Sequence, residues 1–279
     1  MTGQPHYQFL SSQDYTLPYL EFGSGPELLL AFHGFGRSSS DFLPFEKTLG
    51  EKYTIIAFDF FYHGPHGISS TRRLPPLNGA QLARMIEKLL WEKKKVRCSM
   101  LGYSQGGRLV LGQIHHLPHR IHELIIVAPD GLRKNRVRDF IGRSWVGRIL
   151  GLTLVNFPGL IQSFIWILNK TGRINTKQAN FYRHQTREKD NRYRIYHTWI
   201  LMARYNIHRD LIFHYLSKRP ISLDLVMGKY DAIIPIAWAR KFVKNMKGDV
   251  QLHELECGHD VLQLIDELSG IILRKKAHS

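Results

Sequence analysis

The chain has 279 residues, 43% of them apolar, which is enough for one α/β domain with an insertion and excludes a disordered or low-complexity protein. Its formal charge of +16 comes from 39 Lys and Arg against 23 acids and is concentrated in one segment. Residues 131–219 hold 18 basic and four acidic side chains (Asp139, Glu188, Asp190, Asp210), so the remainder is close to neutral. The first twenty residues lack a basic start followed by an apolar run, and a cytoplasmic location is the resulting expectation. Two distant cysteines, Cys98 and Cys257, match no metal-ligand spacing and read as reduced thiols; neither a metal nor a cofactor is expected.

In chain order, residues 6–22 read as a hairpin split at Ser11-Ser12-Gln13-Asp14, and the continuous apolar run Leu28 to Phe32 as a strand buried on both faces. That run stops at His33-Gly34-Phe35-Gly36, after which Ser38 to Asp41 offer caps for a helix to about Leu49. Tyr53 to Phe58 is a second buried strand, followed by a Gly- and Pro-rich loop to about Asn78 and a helix from Gln81 to Trp91. Val96 to Leu101 leads into Gly102-Tyr103-Ser104-Gln105-Gly106, and Ser104 opens a helix to about His116. Further strands are expected over 123–128, 221–227 and 250–255, with helices over 236–245 and after His259. Residues 131–219 break this alternation with helical patterns only, for example 192–207 with a stripe of Tyr193, Tyr196, Trp199, Ile200 and Ala203. Regular alternation implies right-handed crossovers, a mostly parallel sheet flanked by helices, and ligand sites at the strand C-terminal ends. His33-Gly34, Asp59, Ser104, Asp130, Asp231 and His259 all fall at such ends.

Gly-x-Ser-x-Gly is the spacing of a nucleophile elbow, where a sharp strand-to-helix turn lifts the serine hydroxyl clear of the sheet. A serine needs a base to take its proton, and the base needs an acid to fix its tautomer. Among fifteen histidines, His259 in Glu256-Cys257-Gly258-His259-Asp260 stands last in the order Ser, acid, His. Two acids are candidates: Asp231, after the 221–227 strand, and Asp130, after the 123–128 strand. An oxyanion requires two backbone donors, for which the N–H of Gln105 and that of Phe35 are placed, unless His33-Gly34 is only a strand-end turn.

Together Gly-Tyr-Ser-Gln-Gly-Gly, His-Gly-Phe-Gly, Gly-x-x-Asp-x-x-x-Pro (Gly228 to Pro235) and Gly-His-Asp resemble the α/β-hydrolase fold superfamily. The resemblance implies an α/β-hydrolase fold with a core of 1–130 and 220–279 and an inserted helical cap over 131–219. It implies Ser104 as nucleophile, Asp231 as acid, His259 as base, and Phe35 with Gln105 as oxyanion donors, without a cofactor. A serine at the elbow departs from the dehalogenase and epoxide-hydrolase branches, which carry aspartate there. Where the family often has Asp-x-x-Gly-His-Gly, this chain has Tyr62 in place of the first glycine, so a different backbone is expected in that loop.

The activity so implied is cleavage of a carboxylic ester or thioester through an acyl-enzyme. The alternatives are carbon–carbon bond hydrolysis or a lyase step on an acidic metabolite, as in the menaquinone-pathway enzyme with a similar elbow, and a non-catalytic binding protein of the same fold. Ile149 to Leu168 is a 20-residue stretch without a charge, interrupted by Pro158-Gly159, which reads as two short helices over an apolar pocket rather than a membrane span. Flanking Arg143, Arg148, Lys170 and Arg173 suit either an acidic substrate or peripheral contact with an anionic membrane surface. No recognition motif for nucleic acid accompanies the charge.

Overall fold

The computed structural model describes residues 6–12, 14–66 and 73–274. Its contacts divide the chain into two compact units: one of 1–67, 79–133 and 206–279, the other of 68–78 and 134–205.

The first unit is built on an eight-stranded sheet. Strands β1 (Tyr7–Ser11) and β2 (Thr16–Phe22) form the expected antiparallel hairpin, followed by β3 (Glu27–Phe32). A 3₁₀ segment, Ser39–Phe45, then leads into the short helix α1 (Glu46–Leu49) where the sequence suggests one continuous helix. Pro44 lies inside that segment, and its missing N–H removes an α-helical hydrogen bond. The chain continues through β4 (Tyr53–Phe58), α2 (Gly79–Glu92), β5 (Cys98–Tyr103), α3 (Gln105–Gln113) and β6 (Ile121–Val127).

After the second unit's helices α4 (Arg136–Arg143), α5 (Trp145–Asn156), α6 (Pro158–Lys170), α7 (Thr176–Gln185) and α8 (Lys189–Leu201), the first unit resumes. It adds α9 (Arg209–Lys218), β7 (Ser222–Gly228), α10 (Ile236–Val243), β8 (Val250–Leu255) and α11 (Ile265–Leu273). Helix α9, within the stretch read from sequence as the insertion, groups with the sheet, as do residues 131–133. The helix expected over 192–207 starts earlier and ends at Leu201, giving way to a 3₁₀ turn at Met202–Arg204.

The strand order is β1-β2-β4-β3-β5-β6-β7-β8, and every pairing from β4 to β8 is parallel. Strand β5 is buried at every position, and its one serine side chain, Ser99, donates to Glu123 at 2.9 Å. The order reverses between β3 and β5, because the chain leaves β3 for β4 on one side and later enters β5 on the other. Loops leaving β3 and β5 therefore diverge and open a crevice at the C-terminal edge, the position where open α/β sheets bind ligands. The His33-Gly34 loop and Ser104 are those two loops. The core beneath them is a continuous apolar cluster that includes Leu29, Ala31, Ile55, Leu101, Tyr103, Ile125 and Val226.

Residues 134–205 of the second unit are helical apart from their turns, with a small core of Ile141, Val155 and Tyr196. Helices α5 and α6 are bent by 104° at the break, where Pro158 occupies the first turn of α6. No single helix among the described residues is long and apolar enough to cross a membrane.

Candidate active site

Ser104 sits between β5 and α3 with φ +50° and ψ −110°, a left-handed conformation that costs a non-glycine residue about 1–3 kcal/mol. The surrounding backbone holds it there. Its N–H donates to the Val127 carbonyl, and its own carbonyl accepts from the Asp130 N–H at 2.8 Å. The elbow needs glycine because strand and helix cross too closely for a side chain: a Cβ on Gly106 would lie 1.9 Å from the Phe32 carbonyl oxygen.

His259 Nε2 lies 3.2 Å from Ser104 Oγ, and its Nδ1 lies 2.7 Å from Asp231 Oδ2. A carboxylate only accepts, so Nδ1 carries the proton and Nε2 is left to accept from the serine hydroxyl. Asp231 is 5% exposed, and its Oδ1 accepts the N–H groups of Ile233 (2.8 Å) and Ile234 (2.9 Å). Both carboxylate oxygens are thereby fixed in direction. Of the two candidate acids, the one bonded to the imidazole is Asp231; Asp130 meets Ser104 through its main chain.

The loops carrying acid and base are laced together. Lys229 N–H donates to the Leu255 carbonyl and Tyr230 N–H to the Cys257 carbonyl. Gly228 passes so near the second loop that a Cβ on it would lie 1.9 Å from the Gly258 oxygen. Outside, Lys229 and Tyr230 both grip Glu256, each at 2.6 Å.

The His33-Gly34 loop adjoins the elbow: an added Cβ on Gly34 would stand 3.2 Å from Ser104 Cβ. His33 itself is a buried strut. Its Nε2 accepts from the Phe60 N–H at 3.0 Å, so the proton resides on Nδ1, which donates to the Gly34 carbonyl at 2.7 Å. Burial holds its pKa below the usual histidine value, consistent with this neutral tautomer. Asp59 accepts the Ser39 N–H at 2.6 Å on the far side of the same loop. His33 and Asp59, which the sequence places at the sheet edge without a role, thus shape the loop that carries Phe35.

Tyr62 adopts φ +68°, a left-handed conformation that glycine takes more readily, with its side chain 4% exposed. Burial of the ring offsets the local strain.

Arg37 and Tyr103 are absent from the sequence-based candidate set. The Tyr103 hydroxyl donates to the His259 carbonyl at 3.1 Å, and burial pushes its pKa up, keeping it a neutral donor. Arg37 lies over the Tyr103 ring, pairs with Asp41, and reaches Asp260 at 3.6 Å. One guanidinium therefore ties the Phe35 loop to the residue following His259. The available signal was opposite charge directly after two of the four motifs, His-Gly-Phe-Gly-Arg and Gly-His-Asp.

The sheet order and flanking helices are those of the α/β-hydrolase fold. The alpha/beta hydrolase family profile matches residues 28–267, and the chain belongs to that family. An uncharacterized hydrolase of Bacillus subtilis is 22% identical over 256 residues, which cover 88% of this chain and 87% of the relative. A 125-residue stretch, 45% of this chain and 32% of the relative, is 29% identical to the dihydrolipoyllysine-residue acetyltransferase component of the acetoin cleaving system of Cupriavidus necator. The chain spans about a third of the length of the first curated relatives it matches. Among solved structures, a thermophilic esterase from Thermogutta terrifontis superposes with a TM-score of 0.67 at 15% identity, covering 97% of each chain.

Proposed function

We propose that the chain is a serine hydrolase that cleaves a carboxylic ester or thioester through an acyl-enzyme on Ser104. The observation that carries this reading is the hydrogen-bonded chain from the Asp231 carboxylate through His259 to the Ser104 hydroxyl. His259 Nε2 takes the Ser104 proton as Oγ adds to the substrate carbonyl carbon, and the oxyanion formed is received by the N–H groups of Gln105 and Phe35. The imidazolium, stabilised by Asp231, returns the proton to the leaving alcohol or thiol as the carbon–heteroatom bond breaks. Water then repeats the sequence: His259 takes its proton, hydroxide adds to the acyl carbon, and Ser104 leaves with the proton restored.

Labelling with a fluorophosphonate tests the nucleophile. Wild-type protein takes one phosphonyl group at Ser104 and Ser104→Ala takes none; a folded wild-type protein left unlabelled refutes the proposal. Carbon–carbon hydrolysis at the same crevice is separated by turnover of p-nitrophenyl esters of graded length, which the ester reading requires.

A second reading concerns location: the second unit brings the enzyme to an anionic membrane surface. Residues 140–187 contain seven basic side chains and no acid, and Trp145, Ile149, Phe157 and Trp166 on or beside α5 and α6 are each more than half exposed. Exposed apolar side chains among uncompensated cations suit a bilayer interface with anionic head groups. Co-sedimentation with phosphatidylglycerol vesicles, reduced by salt and by Trp166→Ser, is the expected result; binding indifferent to lipid charge would overturn it.

A further inference from the structure

Within the second unit, helices α4 to α8 line a half-open pocket of about 340 Å³. Ile141, Leu154, Ile161, Leu168 and Trp199 are among its apolar lining, and Arg192 is the one charged residue on it. The pocket volume falls in the range of small-molecule sites, roughly 300–1,000 Å³. Apolar walls leave water without partners there, so the fitting occupant is hydrocarbon.

Arg192 specifies the other end of that occupant. It is 6% exposed and forms no ion pair among the described residues. Its Nε donates to the Val155 carbonyl at 2.8 Å and its Nη1 to the carbonyls of Thr186 (3.0 Å) and Arg187 (2.7 Å). These contacts lie at the C-terminal ends of α5 and α7, whose dipoles partly offset the charge. Its Nη2 makes no hydrogen bond to another described residue and is open to solvent rather than sealed. Around it the unit carries fourteen Lys and Arg over 134–205 against three acids, so its own chain supplies little counter-charge. A largely buried guanidinium with one accessible, unpaired nitrogen can take an anionic oxygen by a charge-assisted hydrogen bond.

We infer that this cavity binds a single alkyl chain ending in an anionic oxygen head, with the chain among the α4–α8 side chains and the head on Arg192. The site lies wholly in the second unit and does not rest on the Ser104 reading. Two sources offer this chemistry, a free long-chain carboxylate or one chain of an anionic membrane lipid.

The test uses the full chain carrying Ser104→Ala, titrated with dodecanoate below its micellar concentration and followed by tryptophan fluorescence and calorimetry. One-to-one saturable binding is expected, at least tenfold tighter than for dodecanol or dodecyltrimethylammonium. Arg192→Gln should remove that preference while dodecanol binding persists, a split that loss of fold would not give. Ile161→Trp, which fills the cavity, should abolish binding of both at unchanged helical circular dichroism. If either variant fails to fold, the three head groups on the parent protein still decide. A parallel titration with phosphatidylglycerol vesicles names the source: tighter binding of vesicle lipid than of monomeric dodecanoate, with Ile161→Trp sensitivity, assigns it to the membrane. Vesicle binding untouched by Ile161→Trp, beside saturable dodecanoate binding, assigns the site to the free carboxylate; head-group-independent binding, or no saturable binding to either, would overturn the site.

Discussion

The two units use opposite physical strategies. Around Ser104 the backbone is over-determined: loops approach within distances only glycine allows, and each polar atom of Asp231 and His259 described above has a directed partner. In the second unit, apolar side chains stand in solvent, a half-open apolar pocket lies among the helices, and a buried cation has no acid partner among the described residues. Geometry needed for a bond-making step must be rigid, since misplacement by about 1 Å costs up to ~100-fold in rate. Recognition of a hydrocarbon has no such demand, because burial is non-directional.

That contrast breaks first at the acid. Asp231→Asn keeps the shape but presents an amide to Nδ1, favouring the wrong imidazole tautomer, and kcat on a p-nitrophenyl ester should fall by about 10³- to 10⁴-fold. Asp130→Asn should stay within about tenfold. The reverse ranking would transfer the acid role to Asp130. Next in size is Gly228→Ala, whose Cβ overlaps the Gly258 carbonyl; urea unfolding should show a loss of about 3 kcal/mol, and an unchanged midpoint would mean the two loops yield easily.

Arg37→Gln releases the Phe35 loop from Asp260, and kcat should drop about tenfold with KM little altered. Equal loss in KM would make Arg37 a substrate-binding group instead of a positioning residue. The smallest effect is on stability against pH. Burial, aided by His116 and His208, lowers the His115 pKa to about 4. The unfolded chain then binds the extra proton between about pH 6.5 and 4, so stability from this group is present above that window and lost as pH falls through it. His115→Gln should flatten the acid limb of a Tm-against-pH curve.

Much of the site was legible because covalent neighbours carry it. Ser104 and its two glycines lie within five residues, and the elbow's close crossing dictates those residue types. Asp59, Ser104, Asp231 and His259 each follow a strand, so alternation alone sent them to one sheet edge. Helix ends were less legible where Pro44 forced a 3₁₀ segment and where the 192–207 stripe stopped at Leu201, because local hydrogen bonding rather than periodicity sets a terminus.

By itself the sequence determined the strand–helix alternation, the elbow, the late histidine and the segment that holds the charge. All of these are set by residue order and short-range sterics. Only tertiary structure distinguishes the surroundings of Asp231 and Asp130: both stand at strand ends, and the approach of β7 and β8 brings the Asp231 carboxylate to 2.7 Å from His259 Nδ1. It alone gave Arg37, Tyr103 and Arg192 their partners, which lie 223, 156 and up to 37 residues distant. Such contacts come from packing, and no local pattern encodes them.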